Sequence, residues 1–153
     1  MKKLLISLVF FVLGATAFTQ TLEYDNGLYF KKGMLYSGKH VEYYDNGKVS
    51  LELNVSNGKE HGAFDFYFSS GIKKEHREYN EGKKNGIWIT WNEDGIKIAE
   101  ADYENDTKVG NWFVWDSKGM LLYEMHYVMG KKTGIWRQWD ESGKLIMERD
   151  FEK

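Results

Sequence analysis

The sequence predicts an all-β fold, an elongated antiparallel β-hairpin array forming a single-layer meander of 24-residue repeats. Three observations carry this expectation. Glycine recurs at 38, 62, 86, 110 and 134, and again at 47, 71, 95, 119 and 143, with no slip in the 24-residue period. A fixed period of about 20–50 residues marks a repeat architecture in which each repeat is one supersecondary unit. Between the glycines lie stretches of aromatic and β-branched residues, which favour a pleated, half-buried surface. Proline is absent, so no ladder loses a donor, and beyond the N-terminus no window shows a 3.6-residue period.

The elements follow in chain order. Met1-Lys2-Lys3 is a basic start, Leu4 to Leu13 is an apolar run interrupted by Ser7, and Ala15-Thr16-Ala17 offers an A-x-A cleavage pattern. This reads as a secretory signal peptide over 1–17, cut after Ala17. An apolar helix of ten residues spans about 15 Å, too short for a bilayer core of about 30 Å. The expectation is therefore a mature chain with no transmembrane span. Residues 18–37 form an N-terminal capping segment. Five repeats follow at 38–61, 62–85, 86–109, 110–133 and 134–153.

Within a unit, the second place after the leading glycine holds His40, Phe64, Trp88, Trp112 or Trp136. The fifth place holds Tyr43, Tyr67, Trp91, Trp115 or Trp139, so all six tryptophans lie in two columns. The fourteenth place is Glu52, His76, Glu100, Glu124 or Glu148, and the seventeenth is Val55, Tyr79, Tyr103, Tyr127 or Phe151. Asp45-Asn46-Gly47 and Asn92-Glu93-Asp94-Gly95 have the chemistry of one hairpin end. Asn57-Gly58 and Glu81-Gly82 have that of the other. Each unit is thus one hairpin.

Alternation along the second strand puts Val49, Leu51, Leu53 and Val55 on one face, and likewise Leu121, Tyr123, Met125 and Tyr127. Lys73, Glu75 and Arg77 break that pattern in the second unit. Places two and five have opposite parity on a regular strand, which sends Trp88 and Trp91 to opposite faces unless a bulge intervenes. A single sheet has no second layer, so the four central tryptophans Trp88, Trp91, Trp112 and Trp115 are expected to divide into a buried and an accessible column. Together with Trp136 and Trp139 they form the candidate interaction surface.

The G-x-W-x-x-W starts at Gly86–Trp91, Gly110–Trp115 and Gly134–Trp139 resemble those of the MORN-repeat variant family. So do the Gly-Lys turns at 58–59, 82–83 and 130–131, and the lead-in from Asp25 to Gly38. The resemblance covers roughly residues 25–153. It implies a non-enzymatic scaffold that engages protein or membrane partners, and some relatives are described as antitoxin-like. The chain departs from it at Asp106-Thr107, where a Gly-Lys turn is expected, so a looser hairpin end is expected there. The Gly-Trp pattern is also similar to that of bacterial choline-binding repeats, which keeps a glycan- or lipid-headgroup-binding module as the alternative reading.

Composition narrows the function classes. The net charge is −2, and loss of Lys2 and Lys3 with the leader makes it −4, which argues against nucleic acid as a partner. No cysteine is present, so neither a thiol nucleophile, a disulfide nor a lipidated cysteine exists. His40, His61, His76 and His126 fall in four different repeat places and in no metal-binding spacing. No G-x-S-x-G elbow occurs, and Gly130-Lys131-Lys132-Thr133-Gly134 reads as an inter-repeat turn, not a phosphate loop. The glutamates at 52, 100, 124 and 148 lie one repeat apart, about 10 Å, which suits a solvated row paired with lysines. The reading is an exported protein, periplasmic or extracellular, without catalytic residue, metal or cofactor. Its partner is an unknown protein or envelope component, with contact to a membrane surface included.

Overall fold

The computed structural model describes residues 22–152. The signal peptide read over 1–17 lies outside them, as do the first residues of the capping segment. The described chain is all strand and turn, without a helix. Three short strands open it: β1 (Glu23–Asp25), β2 (Leu28–Lys31) and β3 (Met34–Leu35). The repeats supply β4 (Gly38–Tyr43), β5 (Val49–Ser56), β6 (Lys59–Tyr67), β7 (Lys73–Asn80), β8 (Lys83–Lys84) and β9 (Gly86–Trp91). They continue with β10 (Lys97–Glu104), β11 (Thr107–Trp115), β12 (Leu121–Val128), β13 (Lys131–Trp139) and β14 (Leu145–Asp150). β1–β3 form a small separate sheet. β4–β14 form one open sheet of 11 strands in which neighbours in sequence are neighbours in space, β8 being the short lead of β9.

Two turn types alternate. At one end of each hairpin, paired positive-φ residues make a two-residue turn: Asn57-Gly58, Glu81-Gly82, Asn105-Asp106 and Met129-Gly130. Two successive left-handed residues match the twist of the flanking strands, which is why such turns dominate tight hairpins. These turns also stack. Gly58, Gly82, Asp106 and Gly130 each donate an N–H to the carbonyl 22 residues earlier, at 2.7–2.9 Å. The Asp106 turn is not looser, as the sequence suggested. It keeps the geometry of its neighbours, and its carboxylate accepts the Lys84 N–H at 2.9 Å. At the opposite end, a carboxylate or amide at the sixth place of the unit folds the loop. Asn92 Oδ1 accepts the N–H groups of Asp94 and Ile96, and Asp116 and Asp140 do the same for their own loops.

Two recurrent irregularities shape the sheet. Inside each hairpin the register slips by one residue beside the fifth-place aromatic: Val114 faces Tyr123, but Trp115 faces Leu121. The extra residue lies on the second strand (Leu122, and likewise Ser50, Lys74, Ile98 and Ile146). It leaves the parity of the first strand intact, so the second- and fifth-place aromatics do lie on opposite faces. It also corrects the reading of the second strand. Leu121 and Val49 cross over to join the fifth-place face, apart from Tyr123 and Leu51. In the second unit the same slip places Lys73 opposite Tyr67, so only Glu75 and Arg77 remain on the apolar face, as an ion pair.

Between hairpins the slip is two residues. Glu100 faces Phe113 and Asp102 faces Val109, so Gly110, Asn111 and Trp112 stand against Ala101 alone. Gly110 sits at φ +60°, and a Cβ there would lie 2.9 Å from Asp102 Oδ2. Strand β12 and β13 repeat the arrangement at Gly134.

The tightest core sits at the N-terminal end. Leu53, Val55 and Phe64 are buried, with Leu22, Tyr29, Tyr36, Leu51, Phe66 and Tyr79 packed against them. The β1–β3 sheet is tied to the first unit by Tyr29 N–H to the Gly58 carbonyl and Gly58 N–H to the Tyr36 carbonyl, both 2.7 Å. Burial first, then the Glu60 charge, pushes the Tyr29 hydroxyl up to about 12. Away from this end each hairpin packs mainly on its neighbours, the condition under which repeats behave as separable units. Deleting residues 86–109 is therefore expected to leave a shorter protein that still melts cooperatively by circular dichroism. Loss of cooperative melting would contradict the repeat architecture.

Candidate interaction surface

The two faces of the sheet have different chemistry. On one face the second-place and seventeenth-place aromatics form a continuous column: Phe64, Tyr79, Trp88, Tyr103, Trp112, Tyr127, Trp136 and Phe151. Successive ring centroids are 4.9–5.3 Å apart, tilted by 54–66°. Edge-to-face geometry of this kind suits the ring quadrupoles. Tryptophan has a specific reason to be there. The two-residue slip frees a carbonyl beside the ring, and the indole N–H takes it. Trp88 donates to Glu78, Trp112 to Asp102 and Trp136 to His126, at 3.1–3.2 Å.

Lysines cover this column. Lys84 Nζ lies 4.7 Å from the Trp88 ring centre and 5.0 Å from Tyr103. Lys108 lies 4.3 Å from Trp112 and 5.1 Å from Tyr127, and Lys132 lies 4.3 Å from Trp136 and 5.2 Å from Phe151. Arg77, in the second unit, adds a further cation to that of Lys84 over Trp88 and also lies over Phe66. These cations at the twenty-second place escaped the sequence reading, which stopped at the glycine and lysine of the turn. Their recurrence at 84, 108 and 132 was the available signal.

The opposite face carries the fourteenth-place carboxylates and the fifth-place aromatics. Glu52 pairs with Lys39 at 3.1 Å and Glu100 with Lys97 at 2.6 Å, while Arg137 bridges Glu124 and Glu148 at 3.0 Å each. Phe113 and Trp115 pack at 5.5 Å, with Lys97 over Trp115. His76 stands between Asp65 at 2.7 Å and Glu78 at 3.3 Å, and Lys73 reaches Asp65 at 2.9 Å. Tyr67 donates to Glu52 at 3.3 Å; burial, then the charges of Asp65 and Glu52, pushes its hydroxyl up to about 12. A hollow of about 210 Å³ on this face is lined by Ile87, Glu100, Asp102, Asn111 and Phe113. Glu52, Asp65, Glu78, Glu100, Glu124 and Glu148 are held by cations or imidazoles, and among the described residues no group of three or more His, Cys, Asp or Glu could hold a metal.

Asp65 gives this face a pH dependence. Burial alone would raise its carboxyl, but hydrogen bonds from Lys73 and His76 outweigh it and hold it below the usual carboxylate range. A depressed folded-state pKa contributes stability that is present above the unfolded value of about 4 and lost as pH falls through the folded value. Asp65→Asn is expected to cost about 1 kcal/mol at pH 7 and to flatten the acid limb of stability against pH below about 4. Equal acid limbs for the two proteins in urea melts would remove Asp65 from the account.

The expected division of the tryptophans by exposure is not found. Trp88, Trp91, Trp112, Trp115 and Trp139 are all half-buried, and Trp136 is buried. The lysines cover the second-place rings, and Phe113 and Lys97 cover Trp115, so a lone sheet still screens both columns. The candidate surface is thus two partly covered columns on opposite faces. The exposed large apolar groups are spread along the array: Tyr24, Met34 and Leu35 in the small N-terminal sheet, Tyr43 and Tyr44 at the first edge, Ile87 and Ile135 beside leading glycines, Val128 and Met129 at a turn, and Leu145, Ile146 and Met147 on β14.

Comparison with known families adds one finding. The model of the MORN repeat variant family matches at residues 36–57, 108–129 and 132–153. The three starts differ by whole multiples of the 24-residue period and hold the same phase to the leading glycines. The chain is a MORN-repeat variant protein. No curated protein is significantly similar to it. MORN repeats are in general protein- or membrane-interaction modules and non-catalytic scaffolds. The MORN array here shows how its consensus works: glycine permits the slip, tryptophan satisfies the carbonyl so freed, and lysine caps the rings.

Proposed function

We propose that this MORN array is an exported, non-enzymatic scaffold that acts in the periplasm or outside the cell and engages a protein partner at the envelope. Export rests on the basic, apolar and A-x-A features of residues 1–17. One observation favours a protein partner over a glycan. The rings that a sugar would stack on are already faced by lysine ammonium groups, whereas strand β14 is exposed along its whole length. A sheet edge takes a protein strand through main-chain hydrogen bonds. The test is fractionation of the producing cell with N-terminal sequencing, then cross-linking in envelope extracts. The expected result is an exported chain starting at Phe18 and cross-linked to an envelope protein. A full-length chain confined to the cytosol would overturn export, and absence of any envelope partner would overturn the scaffold reading.

Contact with a lipid surface is a second reading, favoured by Val128 and Met129, 59% and 80% exposed, beside Lys131 and Lys132. No helix among the described residues is long and apolar enough to cross a membrane. Co-sedimentation with anionic vesicles, lost in Met129→Glu, is the expected result on this reading.

A further inference from the structure

We infer that Asn26 is a self-modifying site. Its side-chain amide is lost to water through attack by the Gly27 nitrogen, isoaspartate is left behind, and the product frees β1 from the small N-terminal sheet. This stands apart from the partner and the address proposed above.

Asn-Gly occurs four times, at 26–27, 46–47, 57–58 and 85–86. The pair is reactive because glycine has no side chain to hinder its nitrogen or to restrict the turning of its peptide. The only co-reactant is water. The glycine nitrogen gives up its proton and bonds to the Asn Cγ, the Cγ–Nδ2 bond breaks, and the amide nitrogen takes a proton and leaves as ammonia. Water then opens the five-membered succinimide. Opening at the backbone carbonyl leaves isoaspartate, with the main chain running through the side-chain carbons, and opening at the side-chain carbonyl leaves aspartate. Nothing is oxidised or reduced. Ring closure needs a free glycine N–H and a peptide able to swing out of its turn, so reactivity follows the cost of local opening.

Three of the four pairs are held. The Gly58 N–H donates to the Tyr36 carbonyl at 2.7 Å, and the Asn57 N–H donates to Ser37 Oγ at 2.8 Å. The Gly47 N–H donates to the Tyr44 carbonyl at 2.9 Å. The Asn46 amide is tied at both ends, Nδ2 donating to the Ser69 carbonyl at 2.9 Å and Oδ1 accepting the Lys48 N–H at 3.0 Å. Gly86 lies inside β9 opposite Tyr103 with the Glu78 carboxylate against it, and the Asn85 N–H donates to the Glu78 carbonyl at 3.0 Å.

Asn26-Gly27 is built like the repeat turns, at φ 49° and 80°, but lacks what holds them. Gly58, Gly82, Asp106 and Gly130 each bond a carbonyl of the preceding unit, and the first hairpin has no such unit among the described residues. There the Gly27 N–H has no partner, and the Asn26 amide reaches only its neighbour Asp25, at 3.0 Å. Both residues are exposed, and nothing lies within 4 Å of a Cβ built on Gly27. The strand that the turn joins is slight. β1 pairs β2 through three residues, all exposed, with no strand on its other side among the described residues. Pairing on that scale is marginal in water, so this turn opens at the least cost of the four.

The product matters because the turn has only two residues. Isoaspartate adds a carbon to the main chain there, so Asp25 can no longer face Leu28 while Tyr24 faces Tyr29. The Tyr24 ring, 4.7 Å from that of Tyr29, is released with β1. Tyr29 itself stays bonded to Gly58, so the change is confined to the outermost strand.

The test ages the mature protein near neutral pH, digests it at low pH, where the reaction is slowest, and maps it by mass spectrometry with isoaspartyl and aspartyl peptides separated. Conversion at Asn26 is expected at least tenfold faster than at Asn46, Asn57 or Asn85, with isoaspartate the larger product. In urea the four rates should converge, because the local order that separates them is gone. Chymotrypsin then reads the consequence. The isoaspartyl form should be cut after Tyr24 at least tenfold faster than Asn26→Asp, which carries the same charge on an ordinary main chain. Equal rates at the four sites of the folded protein, or Asn57 ahead of Asn26, overturns the site. Equal cutting of the isoaspartyl form and Asn26→Asp overturns the release of β1.

Discussion

Phe64→Ala is expected to be among the most damaging truncations in the molecule, at about 3–5 kcal/mol. Phe64 is 4% exposed and lies where three structures meet. It is the first ring of the aromatic column, 5.0 Å from Tyr79, and it also touches Tyr29 of the small N-terminal sheet at 6.3 Å. Leu53 and Val55 bury their side chains against the same spot. A cavity there cannot collapse without moving the cap off the first hairpin, so the full transfer and cavity costs should appear together. Trp112→Phe makes the contrasting case. It keeps a ring of similar shape between Tyr103 and Tyr127 and removes the indole N–H that bonds Asp102 and Val109, both at 3.2 Å. Its cost should be about 1–3 kcal/mol, that of leaving a partly buried carbonyl without its donor. Urea melts of the two variants check the order. A Phe64→Ala protein as stable as Trp112→Phe would mean that the N-terminal core does not anchor the array.

Much of this fold is legible in the sequence because the signals are local and repeat. Asn57-Gly58 can be recognised as a turn from two residues, and the glycine period gives the hairpin count before any packing is known. The faces were harder. Opposite parity for Trp88 and Trp91 was readable, but the extra residue beside each fifth-place aromatic was not. Nothing at Ser50, Lys74, Ile98, Leu122 or Ile146 shares a side-chain chemistry that would mark a bulge. That one slip moves Val49, Lys73 and Leu121 to the other face, which accounts for Lys73 among the breaks in the second unit, while Glu75 and Arg77 stay on the apolar face as an ion pair. Exposure of the tryptophans was misread for a related reason. Burial was argued from the number of layers, whereas Lys84, Lys108 and Lys132 cover the rings from within the same sheet. A long lysine stem over an aromatic column is a second layer of a kind that a pattern of apolar residues does not reveal.

Gly58→Ala is expected to destabilise by about 3 kcal/mol or more, through a contact that the turn alone would not require. Its φ is +77°, which for a residue with a Cβ costs roughly 1–2 kcal/mol. That part is survivable, because Asp106 occupies the equivalent place two units later at φ 66°. The difference lies in the surroundings. A Cβ on Gly58 would fall 2.6 Å from Leu35 Cδ2 and 3.2 Å from the Tyr29 carbonyl oxygen, and the second of these is backbone and cannot swing aside. Gly58 also holds the cap through Tyr29 N–H and the Tyr36 carbonyl, so relief of the clash would stretch both bonds. Overpacking of this kind adds about 1–3 kcal/mol to the φ cost. Gly47→Ala is the control, with φ +80° and nothing within 4 Å of its Cβ, so it should show the φ cost alone. Adding Leu35→Ala to Gly58→Ala should recover part of the loss, because it removes one of the two clashing groups. Equal melts for Gly58→Ala and Gly47→Ala, with no recovery in the double variant, would show that the small sheet rests on the first hairpin without pressing on it.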